Sequence, residues 1–223
     1  MSTTADENKR FVVEFANPHC WLMTADNLHE QAAEIYRNRS RSSITTKLNA
    51  NREIVQQIRG IDKPVFLLGG FALENAIEAF LVYENPQWVS NGRLSGKLKT
   101  HSLIRLQKQS KLIPYKKSYI NVLQEFESGL DSWFRYPCAL SVERTDEERH
   151  LHEHLWDGYS KLMRAYGKKL VALLDKGWSG PHESYGRWTI QGPSLGYGES
   201  LPASYSSIVH PTRYETHKGK VVR

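Results

Sequence analysis

The stretch from Val65 to Tyr83 most restricts what this chain can become, because it is apolar on nearly every side. A helix of that kind has no face to offer water, so it must lie at the centre of a core. Asp62 and Pro64 supply its entry, since proline is tolerated in the first turn, where its missing N–H has no helical partner to lose. Asn85-Pro86 then ends it. The rest of the chain has to be arranged around this buried segment.

The flanking segments supply the cover. Between Trp21 and about Arg39, the residues Leu22, Ala25, Leu28, Ala32, Ala33 and Ile35 recur at steps of three and four, which predicts an amphipathic helix. Arg37, Arg39 and Arg41 at its end complement the helix dipole and extend the positive surface. Ile44, Leu48, Ile54, Val55 and Ile58 predict that helix continues or restarts up to Gly60. Gln87 to Lys99, with Gly92 and Gly96, reads as a loop, His101 to Ser110 as a short helix, and Lys116 to Gly129, beyond Pro114, as another. Asp131 to Pro137 reads as an aromatic-rich turn.

Thr145 and Glu148 fit a capping box, in which each side chain satisfies an exposed N–H of a first helical turn. A long last helix is expected from there, with Leu151, Leu155, Tyr159, Leu162, Tyr166, Leu170 and Leu173 as its core stripe. The expected fold is therefore all-α: an up-and-down bundle of about four or five helices over residues 18–176. Residues 1–17 are expected to be a flexible N-terminal segment. Residues 177–223, rich in Gly, Ser and Tyr, are expected to form an irregular C-terminal tail or to wrap over the domain.

Composition agrees with a globular chain, at 39% hydrophobic and 24% charged residues. The run Val65 to Leu73 is shorter than the roughly 20 residues of a membrane span, and Met1 to Arg10 lacks the apolar segment of a signal peptide. A cytoplasmic location without membrane contact is the expectation. Cys20 and Cys138 are too few for a disulfide framework and lie outside any paired metal spacing.

Charge is unevenly placed. From Asn85 to Gln124 there is no Asp or Glu, while Arg93, Lys97, Lys99, Arg105, Lys108, Lys111, Lys116 and Lys117 all fall within that stretch. Since the whole chain carries only +6, the remainder is acidic on balance. Such a local field attracts phosphate backbones, and binding through it weakens as salt rises. Lys97, Lys99, Arg105, Lys108 and Lys111 are the candidate nucleic-acid contacts. The alternative is a lysine-rich face that only maintains solubility.

Titratable groups are densest from Arg144 to His154. His150 and His154 are four apart, so on a helix their rings share a face, and with His152 they make a metal-binding bundle one alternative. A second liganding element would be needed, so no metal or cofactor is assigned. Elsewhere, Glu74 in the buried helix needs a partner, and Arg135 and His101 are the candidates. Trp133 and Tyr136 read as core wedges in preference to stacking platforms.

The succession Gly69-Gly70-Phe71-Ala72-Leu73-Glu74-Asn75-Ala76-Ile77-Glu78-Ala79, Thr100-His101-Ser102-Leu103-Ile104-Arg105-Leu106 and Trp133-Phe134-Arg135-Tyr136-Pro137 resembles the HEPN-domain family. Arg149-His150-x-x-x-His154 then matches that family's Arg-polar-x-x-x-His signature, with the resemblance covering about Trp21 to Lys176. Glu78 stands where the family is expected to carry a lysine.

The resemblance implies a helical bundle that forms a homodimer and acts on RNA. One such role is a metal-independent endoribonuclease of a defence or toxin–antitoxin system, with a cognate antitoxin or partner protein. In that role Arg149 would stabilise charge on the phosphorane-like transition state, His154 would move the proton and His150 would orient them. The alternative within the family is a non-catalytic module that binds a nucleotide or a protein partner. Five positions along an ideal helix put Arg149 and His154 about 140° apart, so their convergence requires an irregular first turn or a second subunit.

Overall fold

The computed structural model describes residues 3–130, 135 and 151–199. It is mainly helical. Helix α1 (Thr4–Arg10) opens with a capping box between Thr3 and Asp6 and runs into a π-helical turn, Phe11–Ala16. The segment expected to be flexible is therefore helical from Thr4 to Ala16, anchored by Val12 and Ala16 in the core. Asn17 joins this turn to α2 (Pro18–Arg37): its amide NH2 donates to the Val13 carbonyl at 2.8 Å and its side-chain oxygen accepts from Cys20 N–H at 3.1 Å.

After α2 the chain departs from the helical expectation. Ile44–Leu48 and Ile54–Arg59 form an antiparallel hairpin, β1 and β2, instead of a continued helix. The physical reason is local. Ile44, Thr45, Thr46, Ile54 and Val55 are β-branched and favour extended backbone, while the Asn49 side-chain oxygen accepts from the N–H groups of Asn51 and Glu53, both at 2.9 Å, and builds the turn. Arg52 completes that turn in the left-handed region, with φ 64°. Ile44, Leu48, Ile54 and Val55 remain exposed, so their i to i+4 recurrence reflects no helix face.

Helix α3 (Asp62–Glu84) is the buried centre, as its sequence requires. Its length and hydropathy would suit a membrane span, but 72% of its most apolar window is covered by the rest of the protein. Gly69 and Gly70 permit that cover. A Cβ at Gly69 would lie 2.8 Å from the Phe126 ring, and one at Gly70 would lie 2.8 Å from Leu130. The residues pressing there belong to α5 (Ile120–Leu130), which follows the short α4 (Leu103–Gln109).

The last helix, α6 (Glu153–Lys176), begins later than expected, after the non-helical Leu151 and His152. Its stripe is nonetheless the core stripe, with Tyr159, Leu162, Tyr166 and Leu170 fully buried. Gly69 meets Tyr159, Phe80 meets Tyr166, and the Tyr83 hydroxyl donates to the Gly177 carbonyl at 3.0 Å. Helices α3 and α6 thus run in the same direction. Helix α2 runs against α6, since Tyr36 stacks on Trp156 at 4.3 Å while the earlier His29 bonds the Tyr159 hydroxyl at 3.0 Å. Burial drives the His29 pKa down to about 4, so its ring is neutral at physiological pH.

Beyond α6 the described part of the tail is irregular apart from a minimal pair of strands, β3 (Trp178–Ser179) and β4 (Tyr185–Gly186). It wraps back over the helices. Leu195 is fully buried at the tip of a tight turn in which Ser194 and Tyr197 exchange both backbone hydrogen bonds at 2.9 Å. Leu195 N–H donates to Asp26 at 2.6 Å and Arg164 donates to the Gly196 carbonyl at 3.1 Å, fixing the turn to α2 and α6.

Candidate nucleic-acid interface

The acid-free stretch is held in place by carboxylates from outside it. Glu74 on α3 meets His101 Nδ1 at 2.9 Å. Glu127 on α5 accepts from Ile104 N–H at 2.7 Å, at the start of α4. Glu84, at the end of α3, accepts from Lys111 N–H at 2.7 Å. Two of these three acids bond backbone, so they fix the path of the segment without neutralising its side-chain cations. His101, one of the two partners expected for Glu74, is therefore observed.

The cations stay in water. Arg93, Lys97, Lys99, Arg105, Lys108, Lys111 and Lys117 are exposed, and among the described residues none of them lies within ion-pair distance of a carboxylate. Lys116 is the exception in exposure: it is half-buried and its ammonium donates to the Ser110 carbonyl. All five cations named from sequence therefore face solvent on one continuous stretch.

A concavity lies in the loop ahead of α4. A 3-10 turn, Pro86–Val89, places Trp88 beside the chain that returns through Ser95, and Ser95 N–H donates to the Trp88 carbonyl at 2.8 Å to close the loop. Buried Val89 and Leu98 anchor its two sides. The resulting cavity, of about 390 Å³, is lined by Gln87, Trp88, Asn91, the run Arg93 to Gly96, and Lys99. Lys97 Nζ sits 4.9 Å over the Trp88 ring. Trp88 is not legible as a site residue in sequence, because one aromatic in a loop has no periodicity; its only signal is its place among cations.

The arginine- and histidine-bearing segment is elsewhere. Arg149 and His150 lie outside the described residues, as do Thr145, Glu148, Trp133, Tyr136 and Cys138. His154 is exposed in the first turn of α6. Beside it, Arg39 donates to the Leu151 carbonyl at 2.8 Å, reaches Glu153 at 3.6 Å and covers the Tyr36 ring, while Arg37 pairs with Glu34 at 2.7 Å. These arginines are engaged locally and do not extend the basic surface. Because the loop carrying Trp88 meets the far end of α6, through Tyr83 on Gly177 and His182 on the Ser90 carbonyl, His154 stands roughly 30 Å from it along the helix axis at 1.5 Å per residue.

Among the described residues no three His, Cys, Asp or Glu side chains gather as a metal would require. Among the described carboxyls Glu78 is the most perturbed: burial, with the charge of Glu74 one turn away, pushes its pKa up to about 9, so it is a neutral acid at pH 7. Compared with protein-family models, curated proteins and solved structures, the chain matches none.

Proposed function

We propose that this protein binds RNA through the surface running from the Trp88 loop across α4, in keeping with the resemblance of its sequence to HEPN domains. The observation that supports it most is a set of seven exposed cations with no carboxylate partner among the described residues, three of which, Arg93, Lys97 and Lys99, stand at an aromatic-lined concavity. A face that only confers solubility needs no cavity, and it gains nothing from carboxylates that bond the backbone and leave the cations unpaired. Cleavage is the second part of the proposal, assigned by the resemblance to Arg149, His150 and His154 of a homodimer, without a metal.

A salt titration of a short single-stranded RNA tests the binding step. Affinity is expected to fall steeply between low and moderate salt, and Lys97→Ala, Lys99→Ala, Arg105→Ala, Lys108→Ala and Lys111→Ala each to weaken it and flatten the salt slope, by about one for each phosphate that is no longer bound. An affinity that is flat with salt rejects the reading. RNA left intact by the wild-type protein, with and without EDTA, rejects cleavage while leaving binding in place.

A further inference from the structure

We infer that the cavity beside Trp88 holds one unstacked nucleotide of a bound strand, its base on the indole face that Lys97 now covers and its phosphate between Arg93 and Lys99. The inference rests on the RNA reading and names what that surface selects.

A volume of about 390 Å³ falls within the range of small-ligand sites, and the lining joins the three chemistries a nucleotide presents. Trp88 offers a π-face, Gln87 and Asn91 offer amide donors and acceptors to base edges, and Arg93 and Lys99 offer cations to phosphate. No carboxylate lines the cavity to repel the phosphate. The ammonium of Lys97 at 4.9 Å over the ring shows that this indole face is turned to a hydrated side chain and not to the core. Stacking a base on an aromatic is stronger than an exposed ammonium contact, so a base displaces Lys97 and frees it for the backbone. Gly96 lines the cavity, and a Cβ there would meet nothing within 4 Å, so a larger side chain is accommodated at the lining without a clash.

The test uses the full chain and one short RNA in two forms, with a 2-aminopurine and with an abasic site at the same position, and AMP as a separate ligand. The wild type is expected to prefer the base-bearing strand by about five-fold or more, the usual effect of one stacked base. Trp88→Ala and Gly96→Leu are each expected to abolish that preference without changing the salt slope, whereas Trp88→Phe keeps most of it. Gly96→Leu adds bulk at the cavity lining with Trp88 in place, so a folding defect of Trp88→Ala does not decide the result. Equal affinity of the wild type for both strands, with salt dependence intact, overturns this inference and leaves the RNA reading standing. AMP binding as tightly as the strand overturns the strand-bound form and assigns the cavity to free nucleotide. Failure of the wild type to bind either strand overturns both readings.

Discussion

Glu78 carries the clearest residue-scale consequence. Its carboxyl is almost wholly buried, and burial first, then the neighbouring Glu74 charge, raises its pKa from 4.5 to about 9. A carboxyl with a raised folded pKa binds its proton more tightly in the folded state, so its contribution is fully present below pH 4.5 and is lost as pH rises towards 9. At pH 7 the lost part amounts to about 3 kcal/mol, from roughly 1.4 kcal/mol per unit over the interval already crossed. Glu78→Gln keeps the shape and removes the titration. The variant is expected to be more stable than the wild type by up to about 3 kcal/mol at pH 7 and near equal to it at pH 4.5. Urea unfolding at the two pH values checks this, and a variant less stable at both would show that the acid is held by bonds worth more than its burial costs.

At the scale of elements, the hairpin of β1 and β2 leaves the whole of β1 in water. It exposes Ile44, Leu48, Ile54 and Val55, and an isolated two-stranded hairpin is at best marginally stable in water. Replacing residues 45–58 by a short Gly/Ser linker is therefore expected to change stability by less than about 1 kcal/mol, within the range of changes made away from a core. Far-UV circular dichroism during melting checks it, and a fall of several degrees in the midpoint would show that the hairpin supports the helices. The same hairpin marks where sequence reading stops. Helix α6 is legible because burial imposes a period on its side chains and α3 because it is apolar on nearly every side, while Pro64 and Asn85 mark the ends of α3 by their own chemistry. Strand β1 is exposed throughout and has no buried face to impose a period, so the spacing there imitates a helix while turn chemistry at Asn49 decides the fold. The Trp88 cavity is hidden for a related reason: it is made by the hydrogen bond from Ser95 to Trp88, a closure between loop residues that no pattern announces.

At the scale of the whole molecule, the cation-rich loop and His154 occupy opposite ends of α6, roughly 30 Å apart. Under the proposed RNA reading, a strand gripped at the Trp88 end is therefore not presented to His154 of the same chain by that grip alone, and a cleaving group would have to be reached along the surface or supplied by a second subunit. On the proposed HEPN-like reading the Arg149 and His154 pair is shared between two subunits, and the non-helical Leu151 and His152 mean that helical phase does not decide it. This gives a test in which no single-chain site can succeed. Arg149→Ala and His154→Ala proteins are each expected to be inactive on RNA. When they are mixed in equal amounts and allowed to exchange subunits, half of the dimers carry one variant of each kind, and in a site built from Arg149 of one chain and His154 of the other, one of the two sites in each mixed dimer is intact. Activity should then return to about a quarter of the wild-type value. Were the pair to act within one chain, every site in the mixture would lack one group and the mixture would stay as inactive as its components.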